Sequence, residues 1–476
     1  MSDTYVAEES PSRPVPRQGD LTQGPILRTL IIFAIPTMLS NVLQTLGQTI
    51  NTIWVGQLLG EGALAATVNA NLVMFLVFST VFGFGMAATV KVGHGLGAGN
   101  VDAARRAFGT GTGFCVGAAT LGAVLGWIFA DPLLYVLATP ETIHDQALAY
   151  LRVIFIGMPI STLQMMISMG LRGAGDAKSP FYAVIVITIL TIVLNPLLIL
   201  GIGPFPELGI AGSALANVLA NVGGFLLLTT WVYWRDLPLR LKGREFRYLI
   251  PQGEDLSYVV AKGVPMGAQT LLNSAAGLIM LGFVNREGML TTAAYGAVMQ
   301  VWSYVQMPAF AVSMAVSAMV AQNAGAAQHE RSGRITMAGV GTTAVITVVM
   351  ALLLLAFDTP LLSLFLGSGS DAVPIANRIQ LIAIWSWVLN GVMMTLMGTM
   401  RAYGAVVGPL IIMAVALYPG RLGFYHLTYG ALGADALWLS FVFGSAIALL
   451  MTFVVYNRGG WRRSFSTPAP MPAAAE

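Results

Sequence analysis

The sequence predicts an all-α integral membrane protein with twelve transmembrane helices in two parallel six-helix repeats, and three observations carry that prediction. Apolar residues fill 56% of the 476 positions and charged residues only 9%, whereas about a quarter of residues are charged in soluble domains. The apolar residues gather into twelve runs, each long enough to cross a hydrocarbon core of about 30 Å. Finally, the stretch His94 to Arg106, HGLGAGNVDAARR, returns in degraded form 228 positions later as Gln322 to Arg334, QNAGAAQHERSGR.

Laid over each other, the two copies match Gly97 with Gly325, Ala98 with Ala326, Asp102 with Glu330 and Arg106 with Arg334. The pattern is a helix exit, a glycine-rich turn and an amphipathic re-entry. Pro36 with Pro265, Ala65-Ala66 with Ala293-Ala294, and Arg172-x-x-Gly175-x4-Pro180 with Arg401-x-x-Gly404-x4-Pro409 recur at nearly the same offset. The chain therefore divides into halves of about equal length.

In chain order, residues 1–24 are polar, partly acidic and proline-containing. They lack the basic-then-apolar order of a signal peptide, so no cleavage is expected. An N-lobe over 25–235 holds spans 1 to 6, at roughly 28–58, 63–93, 105–130, 146–170, 180–202 and 210–234. The basic segment 236–257 leads to a C-lobe over 258–457, with spans 7 to 12 at roughly 258–285, 292–321, 334–357, 373–400, 405–424 and 433–457. The longest runs reach about 45 Å as helix, so they tilt or project beyond the bilayer. The tail 458–476 ends in STPAPMPAAAE, a composition expected to be disordered.

With the N-terminus placed in the cytoplasm, twenty of the twenty-four lysines and arginines fall on the inner side; the four left over, Arg152, Arg286, Arg378 and Arg421, lie near the outer side. Both termini are therefore expected to be cytoplasmic and the protein multi-pass in the cell inner (plasma) membrane. Six spans per half is an even number, so both halves enter the membrane in the same direction and the repeat is parallel. The basic residues are scattered beside apolar runs, which argues against a nucleic-acid patch despite the net charge of +3. The single cysteine, Cys115, excludes an intrachain disulfide. The DLPLRLKGREFRYL portion of the linker reads as a solvated connector or a segment lying along the inner leaflet.

No aspartate or glutamate falls in the middle of a span; the interior carries amides at helical spacing instead. In span 1, Thr37, Asn41, Gln44, Gln48 and Asn51 share one face of an otherwise apolar helix. Span 4 repeats the device with Ser161, Gln164 and Ser168, span 5 with Thr188, Thr191 and Asn195, and span 6 with Ser213, Asn217 and Asn221. In the second half the stripes thin to Gln269 and Asn273 in span 7 and Ser386 and Asn390 in span 10. One amide alone is usually interhelical glue. Five in line exceed what one helix crossing needs, so the span 1 stripe predicts a hydrated pathway and a more polar N-lobe cavity.

Other residues fit packing or anchoring. Met165, Met166, Met169, Met393, Met394, Met397 and Met400 suit ordinary gap-filling more than an adaptable ligand surface. Trp302, Trp385 and Trp387 either anchor helices or face an organic cation. Lys91 is expected to snorkel to the interface, and Arg172 and Arg401 to end spans 4 and 10 at the inner side.

The two-lobe plan, the glycine-rich turn after span 2 and its copy after span 8, LRGAGDAKSP after span 4, TIWVGQLLG closing span 1 and NPLLILGIGPFPELGIAGSALA across spans 5 and 6 together resemble the multidrug and toxic compound extrusion family, over about residues 23–461. The resemblance implies a V of two lobes and an antiporter exchanging Na+ or H+ for amphipathic, often cationic small molecules by alternating access. It implies no cofactor, no metal centre and no nucleotide, and a monomer is expected.

The sequence departs from the family where many members place coupling carboxylates. The acid before the VG of span 1 is Asn51, the one before the proline of span 5 is Asn195, and the one eleven residues before the arginine ending span 10 is Asn390. The span 7 glutamate of some members has no acidic counterpart, Gln269 or Asn273 being nearest. An amide keeps a carbonyl acceptor but exchanges no proton. Proton coupling through these positions is thereby excluded, while sodium coordination by carbonyl oxygens stays open.

Three rival functions compete, one of them a purely structural membrane protein, which the span 1 amide stripe argues against. A flippase for a lipid-linked saccharide or peptidoglycan precursor needs a basic cavity for pyrophosphate, and the spans hold no arginine cluster. An intramembrane enzyme needs a motif such as H-E-x-x-H, G-x-S-x-G or G-x4-G-K-S/T, and none is present.

Overall fold

The computed structural model describes residues 19–136, 139–367 and 369–465; the N-terminal residues 1–18 and the tail from 466, expected to be polar and disordered respectively, lie outside the described residues. The N-lobe consists of α1 (Ile26–Gly97), α2 (Val101–Val136), α3 (Glu141–Gly173), α4 (Lys178–Leu200) and α5 (Gly209–Trp234). The C-lobe consists of α6 (Gly253–Arg286), α7 (Met289–Gly325), α8 (His329–Ala356), the short α9 (Asp358–Leu366), α10 (Ala372–Ala383), α11 (Trp385–Ala402), α12 (Val407–Val415), α13 (Gly423–Leu432) and α14 (Asp435–Arg458).

Among the described residues ten helices are long and apolar enough to cross a membrane, and α10 with α11, bent by 42°, makes an eleventh. The twelfth is the second arm of α1, because spans 1 and 2 are joined at Gly60 alone, whose φ of 85° and ψ of −176° break the helix without a loop. Such a conformation is open to glycine and costly for other residues. Span 11 also runs further than the sequence predicts. A π-helical turn, Ala416–Leu422, welds α12 to α13 and carries the helix to Leu432. Pro419 sits inside that turn; lacking an N–H, it cannot keep the α-helical ladder, and the wider turn absorbs the mismatch.

The repeated motif is where the lobes cross. A Cβ on Gly97 would fall 1.9 Å from the Gln322 carbonyl oxygen, and one on Gly325 would fall 2.2 Å from the His94 carbonyl oxygen. His94 and Gln322 are themselves repeat mates, so the two contacts are one contact seen twice about a pseudo-twofold axis. Nearby, Gly83 rests against Gly263 and Gly267, four residues apart on α6, with a Cβ only 2.4 Å from the Gly267 nitrogen. Small residues at this spacing let helix backbones touch, which is how helices pack in lipid where no hydrophobic gain is available. His94 Nε2 adds a 2.6 Å contact to the Ala402 carbonyl across the lobes.

Residues 19–21 lie across this crossing. Leu21 N–H donates to Gln322 Oε1 at 2.9 Å, Asn323 Nδ2 donates to the Leu21 carbonyl at 3.1 Å, and Gln322 Nε2 donates to the Gly173 carbonyl at 3.1 Å.

The basic linker is not a free connector, because it packs against the N-lobe. Its 3-10 helix, Gly243–Leu249, packs on α2, where Gly109 and Gly113 leave room for the Tyr248 and Leu249 backbones. Leu237, Leu239 and Leu241 are buried. Arg105 binds Glu245 at 2.8 Å and the Pro238 carbonyl at 2.9 Å. The Tyr248 hydroxyl donates to Asp102 at 2.7 Å, and that bond holds its phenol above the ordinary value. Beside it Asp255, the buried acid opening α6, meets Arg106 at 2.9 Å and Lys91 at 3.5 Å. Lys91 therefore reaches the interface as an ion-pair partner, with its ammonium 4.6 Å over the Tyr258 ring.

Candidate functional site

The first arm of α1 is exposed on two faces. Ile32, Ile35, Leu39, Leu46 and Ile53 make an apolar one. Gln44 and Gln48 are exposed as well, with half-buried Asn41 and Asn51 beside them and Thr37 fully buried at the start of the stripe. At about 100° per residue the amide face points roughly 180° from the apolar one. One face suits lipid; the other must be hydrated, since acyl chains offer an amide no partner.

The far end of the stripe is tied to α5. Asn51 Oδ1 accepts from the Ser213 hydroxyl at 3.0 Å and from Asn217 Nδ2 at 3.3 Å. Asn217 Nδ2 also donates to the Ser213 carbonyl, and Asn221 Nδ2 to the Asn217 carbonyl, at 3.0 and 2.8 Å. These bonds use the Nδ2 donors of Asn217 and Asn221.

Asn195 is fully buried in α4, one turn from the equally buried Thr191. Its Nδ2 donates to the Thr191 carbonyl at 2.8 Å, while its Oδ1 has no partner. Thr188, on the same face of α4, lies against Gly47 of α1, so this face looks toward the amide-bearing arm. Gln164 of α3 donates to Ser168 at 3.2 Å. The N-lobe therefore collects neutral oxygen acceptors inside, from α1, α4 and α5.

The C-lobe amides do not gather in the same way. Gln269 Nε2 bridges to the Val406 carbonyl at 3.2 Å, Asn273 is exposed, and Asn390 Nδ2 is spent on the Ser386 carbonyl and the Ser445 hydroxyl at 2.9 and 2.8 Å. The methionines of α3 and α11 are largely core: Met166, Met169, Met393, Met397 and Met400 are buried. Trp385 is exposed, whereas Trp302 is fully buried and packs edge-on to Trp387.

One residue departs from its expected place. Arg421 lies on the π turn of span 11 and is buried, its guanidinium carbon 3.3 Å over the Phe441 ring. The sequence puts it near the outer side because the apolar run fades at 424, where FYHLTYG is too polar to read as membrane. The readable signal was a glycine on each side, Gly420 and Gly423, in an aromatic stretch that continues the helix. Among the described residues no group of three His, Cys, Asp or Glu could hold a metal ion.

Comparison with known proteins agrees with this architecture. The MatE family model matches residues 36–197 and 265–424, one match in each lobe. YoeA, a probable multidrug resistance protein of Bacillus subtilis (strain 168), is 35% identical over 434 residues, covering 91% of this chain and 94% of its own. An FAD transporter of Shewanella oneidensis is 27% identical over 355 residues, 72% of this chain and 75% of its own. Among solved structures, the outward-facing conformation of a multidrug resistance MATE family transporter of the MOP superfamily superposes with a TM-score of 0.85 at 20% identity, covering 95% of this chain and 100% of the other. Two matched segments on two crossed six-span lobes place the chain in the multidrug and toxic compound extrusion (MATE) family, as a multi-pass membrane transporter of small molecules rather than an enzyme.

Proposed function

We propose that this transporter is a secondary active antiporter that exports amphipathic, cationic small molecules by alternating access, using an inward Na+ or H+ gradient. It works as a monomer in the cell inner membrane with both termini cytoplasmic. Of the two ions the interior favours Na+. The observation that carries this is Asn195 Oδ1, an acceptor wholly buried in the N-lobe with no donor. A buried amide oxygen left unpaired costs about 1–3 kcal/mol, and a small hard cation satisfies it by direct oxygen coordination. A proton does not, because an amide has no titration near neutrality.

Thr191, Asn51, Asn217 and Asn221 supply further neutral oxygens around that pathway, and Asn41, Gln44 and Gln48 line its hydrated approach. Gln269 and Asn273 are the C-lobe's contribution to solute passage, whereas Asn390, whose Nδ2 is spent on Ser386 and Ser445, packs the helices there. The test is efflux of ethidium from proteoliposomes under Na+ and pH gradients imposed separately. Acceleration by Na+ that is lost in Asn195→Leu supports the reading; equal acceleration by a pH gradient alone in both proteins sinks it. A flippase for pyrophosphate lipids fits less well, since the single buried arginine of the C-lobe is not the cationic cluster such a headgroup needs.

A further inference from the structure

We propose that Arg421, Trp302 and Trp387 form a second ligand site, inside the C-lobe, that takes the oxyanion of an amphipathic aromatic solute. The starting point is a charge without a counter-charge. The Arg421 guanidinium is about nine-tenths buried, and among the described residues its Nε and Nη2 have no hydrogen-bond partner. No ion pair of the described residues includes it. Leaving such a charge buried and unpaired is among the costliest arrangements a protein interior can hold, and in lipid depth it marks a function by default. The Tyr295 hydroxyl is a polar neighbour, but a phenol brings no negative charge.

The neighbours share the deficit. Trp302 Nε1 and Trp387 Nε1 are also buried donors with no acceptor. The rings that bear them are 5.2 Å apart, and Trp302 is 5.8 Å from the Phe441 ring on which Arg421 rests. Two unmet donor atoms of Arg421 and one on each indole thus lie along a row of contacting rings, Phe441 to Trp302 to Trp387, and the one acceptor beside them, the Tyr295 hydroxyl, is neutral. A carboxylate or phosphate is the ligand that satisfies such a set, because it offers only acceptors and pairs with arginine in a fork. The aromatic walls provide stacking for the body of the solute.

The backbone is arranged to hold Arg421 in this position. The π turn inserts the extra residue that rotates Arg421 inward, and π turns of this kind recur at functional sites. Gly444 of α14 leaves the path clear: a Cβ there would lie 3.0 Å from Arg421 Cβ. Trp387 is only half-buried and gives the approach.

This inference rests on the export of amphipathic solutes proposed above and adds to the cationic ones a class bearing an oxyanion. It is read by binding alone, so it stands or falls whichever ion drives efflux. The full chain is placed in phosphatidylcholine nanodiscs and titrated with dansylglycine and with its uncharged methyl ester, protein-free discs being subtracted. The acid should bind at least about tenfold more tightly than the ester. Arg421→Met should bring the acid-to-ester ratio to about one, and Trp387→Phe should lower it by about threefold.

Because loss of fold would also bring the ratio toward one, a variant counts only if its affinity for the uncharged ester stays at that of the unaltered protein. Should Arg421→Met fail to fold, Trp387→Phe decides. Repeating the titration in phosphatidylglycerol discs identifies the source of the oxyanion: weaker dansylglycine binding assigns the site to a lipid phosphate, and unchanged binding to a soluble solute. A ratio near one in the unaltered protein, or one that neither substitution changes, overturns the site.

Discussion

In the N-lobe, α4 carries Thr191 and Asn195 and turns an unpartnered oxygen inward; in the C-lobe, its repeat mate, span 11, carries Arg421 and turns unpartnered nitrogens inward. Aligned on Pro180 and Pro409, an offset of 229, Asn195 corresponds to Phe424, three residues or about one helical turn from Arg421. Duplication has therefore kept the scaffold and reversed the polarity of what the scaffold presents. The lesson is that symmetry here belongs to backbone contacts and not to chemistry. Unpartnered amide oxygens are present in both lobes, at Asn195 in one and at Asn323 and Gln380 in the other, so it is the buried guanidinium of Arg421 that sets the C-lobe apart.

The strongest challenge to that comparison is at the crossing, where the lobes should still behave alike. Gly97→Val and Gly325→Val each force a branched side chain into a backbone carbonyl, and overpacking against backbone has no flexible outlet. Both should abolish measurable ethidium exchange in proteoliposomes. Retained exchange in either one breaks the symmetry. At the sites the lobes should part company. Asn51→Leu and Asn195→Leu should slow Na+-driven efflux about tenfold, whereas Asn390→Leu, whose partners are structural, should change the rate less than about twofold and cost about 1 kcal/mol of stability in denaturant unfolding.

A smaller effect sharpens the same contrast. Asn51→Asp restores a titratable oxygen, so transport should gain a dependence on pH, rising about threefold as the carboxylate deprotonates and attracts Na+. A flat profile would show that position 51 does not face the ion. The smallest effect lies outside both lobes. Asp236 of the linker is held below the usual carboxylate range, first by its hydrogen bond to Lys242. A lowered folded value means that its contribution is present above the unfolded pKa and lost as pH falls through the folded one. The group is fully exposed and solvent-screened, so Asp236→Asn should lower the thermal midpoint only slightly at neutral pH, the two proteins converging as pH falls through the carboxylate range.

Much of this architecture was legible in the sequence because the bilayer enforces it. Apolar runs mark spans, and the recurrence of Gly97 as Gly325 marks the repeat, although the sequence reads it as a turn and only the structure shows that the two backbones meet there. The span 1 stripe was legible for the same reason, as amides four and three residues apart can only share a face. What stayed hidden depends on local backbone irregularity. Gly60 replaces a loop with one dihedral pair, and the π turn at Pro419 moves Arg421 from the expected edge into the interior; neither has a periodic signature. The spent donors of Asn390 were equally invisible, since Ser445, 55 positions away, takes them. The linker was hard to read from its charge, because Glu245 pairs with Arg105 and Tyr248 bonds Asp102, partners about 140 positions away on α2.

Leu21 and its two backbone bonds deserve a last thought. A short strap leading into α1 of one lobe is bolted to Gln322 and Asn323 on α7 of the other, so separation of the lobes at this end has to draw the bolt first. Turnover would then be throttled by a piece of chain that never meets cargo, and a label fixed just ahead of Asp20 would report each stroke of the pump.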